Sequence, residues 1–472
     1  MKPRTVLLLQ STCCYFDDTV KLNDLLAREL VARGAIPIHI LTDGTPCTYF
    51  MELDEPREAE CARRHARARH ALATTNQVPV MLLADYVART KDNALSDWST
   101  LVASTPLGAI EYREIQLWET VKGSVAAYAQ WLELPDDPER LTGSERTLVI
   151  QFMKAAVGYT LALEALFDEM GPSHLLVFNG LYYLERIASD LANRRGIRVV
   201  VTESSCFRDR KYYVNVSDGD GGRQGFASEV KHRMETGALS EDEKDLLARY
   251  MLNVYDGSNN WIVQRPPGRD VRSYLRIPPQ RRIATFFGQV PHDSVITYGR
   301  PSYLPMYKAA RQTMDLLAAR RDWHLIVRLH PGGVNSAMRE DLLASRLGQE
   351  NLPRNVSLVI GRQLNTYDVM RASDLGITVC SQAGLEILSM HKPIVVLGDP
   401  IYAGLGVTFD VCQEDMYEAV LDYALANSVP DGKWCDRVDQ MLYHLIFRYL
   451  VPVNRVAGAF DKDGLERVVA MF

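Results

Sequence analysis

The stretch "HLLVFNGLYYLERIASDLANRRGIRVVVTE", His174 to Glu203, decides the fold class. An apolar run ends at Asn179-Gly180. A segment with helical spacing follows and closes near Gly196, and a second apolar run then ends at Glu203. Strand, polar loop, helix and strand in that order form a parallel unit, whose loops collect at the carboxyl edge of the sheet. Asn179 and Glu203 therefore fall on the edge where ligands bind.

Working outward, "TVLLLQ" (Thr5–Gln10), a helix with Leu22, Leu25, Leu26 and Leu30 on one face, and "IPIHIL" form an opening β-α-β unit. Residues 50–170 are mostly helical in pattern and read as a helical insertion. Beyond residue 203, "SEDE" at Ser240 is a capping box with Glu243. The Pro- and Arg-rich segment "QRPPGRDVRSYLRIPPQRR" then marks a boundary near 265–282. After it come "IATFFGQV", "HLIVRL", "VSLVIG", "LGITVC" and "PIVVLG" as strands, separated by helices over about 303–320 and 336–347 and by "TYDVMRAS" and "AGLEILSM". The expectation is an α/β protein of two Rossmann-like domains facing a cleft: 1–270 with the insertion, 280–436, and a helical segment 437–472 that packs back on the first domain.

Its 472 residues exceed one ordinary core, and 47% hydrophobic with 24% charged residues is a globular balance. A net charge of −6 gives no global attraction to polyanions, so nucleic acid is not expected as a partner. The basic run Cys61–Ala71, with Arg63, Arg64, Arg67 and Arg69, reads as a solvated helix face; the sharper alternative is a patch for anionic lipid or a polyanionic acceptor. Eight cysteines without a CxxC pair read as reduced thiols of a cytoplasmic protein. No cleavable signal is recognised, and no stretch is read as approaching the ~20 apolar residues of a membrane span. Any membrane contact is expected to be peripheral.

Four loops of the second half end apolar strands. "WHLIVRLHPGG" (Trp323–Gly333) presents His330, suited to donate to a phosphate or carboxylate; the plain alternative is a histidine that ties down its own loop. "TVCSQAGLEIL" places Ser381, Gln382 and Gly384 at a helix start, where orphan N–H groups attract anions, although Ser381 and Glu386 also suit simple capping and dipole roles. "GQVPHDSVI" carries Gln289, His292, Asp293 and Ser294, which suit a sugar or base, or an ordinary turn. "GDPIYAGLGVTFD" has glycines at 398, 404 and 406, for close approach or for turns.

In the first half, Glu203 at a strand tip is a carboxylate able to serve as acid, base or nucleophile at an anomeric carbon; a salt bridge to Arg208 or Arg210 is its structural alternative. There is no dinucleotide GxGxxG after the first strand, no GxxxxGK[ST], no GxSxG and no HExxH. Dehydrogenase, P-loop kinase and zinc-protease readings lose their usual support.

Taken in order, "VLLLQ" with Phe16, "FNGLYYLERIASDLANRRGI" before "VTE", "GQVPHDS", "VRLHP" and "CSQAGLEIL…KPIVVLGDPIYAGLGVT" resemble the capsule polysaccharide biosynthesis family, which includes retaining β-Kdo transferases. The likeness covers about residues 170–410. It implies a GT-B-like glycosyltransferase, with a nucleotide-sugar such as CMP-Kdo held mainly by the C-terminal domain, and a glycan or glycolipid acceptor. No metal or other cofactor is implied. His330 would contact the donor's phosphate or carboxylate, Ser381 and Gln382 its anionic part, and Gln289 and Asp293 would frame the cleft; Gly384 and Tyr402 are expected as further donor-binding residues. Glu203 would be catalytic, with Asn179 and Arg208 supporting on the acceptor side. The family carries an acidic pair or acid-glycine turn after this strand, whereas this chain has Ser204 and Ser205 after Glu203. A CDP-alcohol (polyol-phosphate) transferase and a non-catalytic nucleotide-sugar-binding assembly partner remain open beside this reading.

Overall fold

The computed structural model describes residues 3–10, 17–42, 57–73, 78–129, 137–216, 227, 230–234, 237–260, 266–289, 306–330, 346–347, 352–361 and 363–472. Its strands are β1 (Thr5–Gln10), β2 (Ile36–Leu41), β3 (Val80–Leu82), β4 (Glu111–Tyr112), β5 (Ile115–Gln116), β6 (His174–Phe178), β7 (Arg198–Ser204), β8 (Arg210–Asn215), β9 (Arg282–Phe287), β10 (Trp323–Arg328), β11 (Val356–Val359), β12 (Leu375–Thr378), β13 (Ile394–Val396), β14 (Phe409–Asp410), β15 (Val451–Asn454) and β16 (Ala459–Phe460).

Two sheets carry the fold. The second has six strands in the order β11-β10-β9-β12-β13-β14, all parallel. Counted along the chain this is the doubly wound 3-2-1-4-5-6 order, whose topological switch point lies between β9 and β12. The first sheet has eight strands, β16-β15-β8-β7-β6-β1-β2-β3. From β7 to β3 they are parallel, and its switch point lies between β1 and β6. Both sheets are therefore Rossmann-like.

Alternation within each strand explains why both faces are covered. In β1, Leu7 and Leu9 enter a core with Phe152, Val157 and Ile187, while Val6 and Leu8 enter another with Leu22, Leu26, Val468 and Phe472. In β9, Ile283 and Phe287 face one core and Ala284 and Phe286 the other. Strands buried on both sides need near-continuous apolar runs, which is how they read in the sequence.

Several expectations are corrected. The stretch 50–170 is not wholly an insertion, because β3 is a strand of the first sheet; three residues between polar turns and a long helix, Leu83–Ser104, leave too short a period to recognise. The segment just after Glu203, to which the sequence reading gave no element, contains a further strand. Strand β8 turns back antiparallel to β7, with Glu203 opposite Tyr212 and Ser204 opposite Lys211. Nor is 437–472 purely helical: β15 pairs antiparallel with β8, β16 follows it, and only then comes the helix Lys462–Val469. The expected helix at 336–347 lies outside the described residues except for Arg346 and Leu347.

The helix Gly143–Met170 is, by length and composition, apolar enough to cross a membrane, contrary to the sequence reading. Interleaved Ala, Gly, Thr and Tyr obscure that run by eye. Its side chains Val149, Phe152, Met153, Ala156 and Val157 are fully buried in the core of the first sheet.

Candidate functional site

Glu203 stands near the carboxyl end of β7 and is half-buried. Asn179, at the tip of β6, donates its side-chain amide to Glu203 Oε2. The Ser204 N–H donates to Glu203 Oε1 at 2.5 Å. Asn179 does this from a left-handed backbone, φ 62°, followed by Gly180 at φ 76°. Its own Oδ1 accepts from Leu181 N–H at 3.1 Å, an Asx turn that offsets the cost of that conformation. Both carboxylate oxygens thus accept hydrogen bonds.

The flanking positions behave differently from one another. Ser205 is buried, its hydroxyl placed against the carbonyls of Phe207 and Arg210, both at 2.9 Å, so it shapes the turn and presents nothing to a ligand. Arg210 pairs with Asp209 at 3.2 Å. Arg208 is exposed, with its N–H donated to Asn259 O.

Three charged groups near the end of β7 escaped the sequence reading: Arg455, which feels Glu203, and Asp18 and Lys211. Arg455, just after β15, is buried, lies 3.5 Å from Asp18 Oδ2 and donates to Arg210 O at 3.4 Å. Burial lowers its pKa to about 10, against the raising influence of Asp18 and Glu203. Lys211, fully buried, donates to Thr19 Oγ1 and sits 5.5 Å over the Phe178 ring. Cations and carboxylates from β7, β8, the start of the helix Asp17–Ala32 and the C-terminal hairpin therefore gather at one sheet edge. Only their three-dimensional pairing reveals them; the residue types themselves are common.

At the second switch point, Gln289 follows β9 and is buried, its Oε1 accepting the Cys380 N–H at 2.8 Å. Thr378 donates to Phe287 O at 3.0 Å and accepts from Ser381 N–H at 3.3 Å. The loops leaving β9 and β12 are thereby cross-tied. His330 leaves β10 beside them and is half-buried; burial, and secondarily Arg328, lower it to about 4, so the imidazole is neutral at pH 7. Asp293, His292 and Ser294 lie outside the described residues, as do Pro331–Gly333 and Phe16.

Ser381 is half-exposed and Gln382 exposed. Ser381 Oγ accepts from Ala383 N–H at 3.2 Å, a turn of the loop that leads into the helix Ala383–Leu388, whose N-cap position is Gln382. Tyr402 is not a ligand-facing residue as expected. It is 1% exposed, and its hydroxyl donates to Ser381 O at 2.5 Å. Gly384 is the seat for that ring: a Cβ there would lie 2.0 Å from Tyr402 Oη. Gly384 is therefore needed for packing rather than for approach of a ligand. Gly404 and Gly406 adopt φ 72° and 71°, a turn requirement, while a Cβ on Gly398 would lie 2.3 Å from Cys380 Sγ.

Glu386, read from sequence as a dipole partner, is buried and accepts from Tyr367 Oη at 2.6 Å and Asn260 Nδ2 at 3.1 Å. Burial raises its carboxyl to about 7, the two hydrogen bonds opposing. Among the described residues, no group of three or more His, Cys, Asp or Glu side chains is placed to hold a metal ion.

Residues 245–429, which contain β9 to β14 and the loops with Gln289, His330 and Ser381, match the sequence model of the family described as "Capsule polysaccharide biosynthesis protein". The likeness to that family is confined to this segment. The segment is less than half of the chain, and Glu203 lies ahead of it. No curated protein matches the chain. Among solved structures, the chain is similar to the beta Kdo 2,4 transferase of Thermosulfurimonas dismutans KpsC, at 18% identity and a TM-score of 0.43 over 63% of this chain and 88% of that one. The beta Kdo 2,7 transferase of the same protein gives 16% and 0.38, over 66% and 89%. A UDP-N-acetylglucosamine 2-epimerase from Listeria monocytogenes gives 11% and 0.33, over 100% and 96%. Each of these overall likenesses is weak.

Proposed function

We propose that this chain is a glycosyltransferase of capsule or surface-polysaccharide synthesis, transferring a sugar from a nucleotide-sugar donor to a glycan or glycolipid acceptor. The observation that carries the reading is Glu203, a carboxyl group fixed by two donors at the ligand edge of one Rossmann-like sheet, in a chain whose other such sheet lies in the segment that matches the capsule-family model.

The chemistry asks two things of the protein. A carboxylate must attack the anomeric carbon, or take the proton of the acceptor hydroxyl, as the bond to the nucleotide phosphate breaks. Glu203 suits either role, because two donors hold its carboxyl group in place and favour its charged form. The departing nucleotide must be met by donors, and the neutral His330, the Ser381 hydroxyl and the exposed Gln382 amide supply them at the edge of the second sheet. Asn179 keeps Glu203 oriented, and Arg455 offsets its charge. Gln289 acts one step back, by fixing the Cys380 amide and hence the Ser381 loop.

CMP-Kdo is the donor we favour, from the family whose model the segment matches, and a peripheral site at the inner face of the membrane is the location that fits a lipid-linked acceptor. Transfer or hydrolysis assays with CMP-Kdo against CDP-glycerol test the donor. Turnover of CMP-Kdo is expected; turnover of the CDP-alcohol alone would replace this reading with polyol-phosphate transfer. Binding of a nucleotide-sugar without turnover of any would favour an assembly partner, a reading that the Ser204-Ser205 sequence and the structural use of Ser205 keep in view.

A further inference from the structure

The turn after the helix Glu241–Tyr255 touches the loops of both sheets within a few residues. On one side, Asn260 forms an antiparallel bridge with Phe207. Beside it the Arg208 N–H donates to Asn259 O at 3.4 Å, and the Asp209 N–H donates to Asn259 Oδ1 at 3.1 Å. Asn259 Nδ2 donates back to Asp209 Oδ1 at 2.9 Å, an oxygen that also accepts from Tyr250 at 2.5 Å. Phe207 is held to Glu203 by a turn with little freedom, since Ser205 contacts both the N–H and the carbonyl of Phe207.

On the other side, the Asn260 amide donates to Glu386 Oε1 and to Tyr367 Oη. Glu386 belongs to the six-residue helix Ala383–Leu388 that starts directly after Ser381 and Gln382. A helix so short has almost no stability of its own and takes its position from tertiary contacts. Phe207, Tyr367, Leu385 and Ile387 lie in one apolar core, so the polar contacts cross a region where water does not substitute for a lost donor.

We propose that Asn260 is a positioning residue for transfer, fixing the Glu203 loop through its backbone and the Ser381 helix through its side chain, so that nucleophile or base and leaving-group donors keep one relation. The proposal rests on the glycosyltransferase reading. The groups facing Glu386 are the Tyr367 hydroxyl and the Asn260 amide, with Cys206 and Tyr255 close enough to feel its charge. Its contact with Asn260 uses a carboxyl oxygen that accepts in either protonation state, so the tie survives across neutral pH.

The test combines kinetics with amide hydrogen exchange on the full chain. Asn260→Ala is expected to lower kcat by about 10- to 100-fold, as a small misplacement of reacting groups does, with KM for the donor within about threefold of wild type. Glu386→Gln, which keeps the accepting oxygen, should retain most of kcat. Asn260→Asp should be impaired, and adding Glu386→Gln to it should restore part of the rate by exchanging donor and acceptor. Exchange in Asn260→Ala should rise in two separate peptides, 204–209 and 383–388. A folded Asn260→Ala with wild-type kcat, or increased exchange on one side only, overturns the proposal. If wild type turns over no nucleotide-sugar, the functional reading fails, and the exchange result alone still decides whether Asn260 couples the two loops.

Discussion

Asn179 reaches from the tip of β6 to the tip of the neighbouring strand β7 and donates its side-chain amide to Glu203, from a backbone held at φ 62°. Conformation and function meet in one residue, and substitutions can separate them. Asn179→Gly keeps the backbone and removes the donor, whereas Asn179→Ala also strains the backbone by about 1–2 kcal/mol. Asn179→Asp sets a second carboxylate against Glu203, so one of the pair holds a proton to higher pH. The acid limb of kcat/KM is expected to move up by about one pH unit or more in Asn179→Asp. An unmoved limb in an active variant would mean that Glu203 does not titrate in catalysis.

His330 is neutral at pH 7 because burial lowers it to about 4. An anionic nucleotide phosphate brought against it favours the charged form and raises its pKa, so binding takes up a proton as the pH falls. Nucleotide affinity should therefore strengthen from pH 7 toward pH 5 more in wild type than in His330→Gln, and His330→Ala should weaken binding at pH 7 by about 5- to 10-fold. Titration calorimetry across that range reads both effects. Identical pH dependence in wild type and His330→Gln would remove His330 from the donor site.

Gly384→Ala should be severely destabilising. The new methyl would meet Tyr402 Oη at 2.0 Å and Cζ at 2.5 Å, and the ring is fully buried. Overpacking of a rigid core costs about 1–3 kcal/mol and more where nothing can shift. Thermal unfolding should show a Tm several degrees lower or a loss of soluble protein, and Tyr402→Phe should rescue little because Cζ remains in place. An unchanged Tm would show that the Tyr402 ring is not seated on Gly384.

Much of this was legible in the sequence, for physical reasons that also mark where legibility stops. Strands β1, β6, β9, β10 and β12 are buried on both faces, so composition alone exposes them. Strands β8 and β15, "RKYYVN" and "VPVN", are mixed in polarity, and their pairing with one another is a tertiary event no local pattern announces. The strand-tip position of Glu203 followed from periodicity; Arg455, some 250 residues later in the chain, reaches it only because β15 joins the first sheet. Tyr402 looked available because it sits in a glycine-rich loop, yet Gly384 supplies the hollow that buries it. Glu386 looked like a helix-end charge and is instead enclosed by Tyr367 and Asn260.

Glu386 also makes stability depend on pH in a defined direction. Its folded pKa, about 7, lies above the ordinary value of 4.5, so between those limits the folded state binds the proton and the unfolded state does not. Its contribution is complete below about pH 4.5, declines as the pH rises toward 7 and is gone above it. His391, raised by its hydrogen bond to Asp439 at 2.8 Å, contributes a loss in the same direction as the pH rises through its folded pKa, so the comparison must be between wild type and Glu386→Gln. Denaturant titrations at pH 5 and pH 8 should show wild type losing on the order of 1–3 kcal/mol more than the variant. Equal losses would place the Glu386 carboxyl in an ordinary, solvated state.

The most direct test of the central claim is single-turnover transfer by Glu203→Gln. The amide is isosteric, gives up one of the two accepted hydrogen bonds, and can neither attack the anomeric carbon nor accept the acceptor's proton. With CMP-Kdo and a glycolipid acceptor that wild type uses, the rate is expected to fall by about 10³-fold or more while nucleotide binding and the unfolding curve stay close to wild type. Transfer by Glu203→Gln at the wild-type rate would contradict the account.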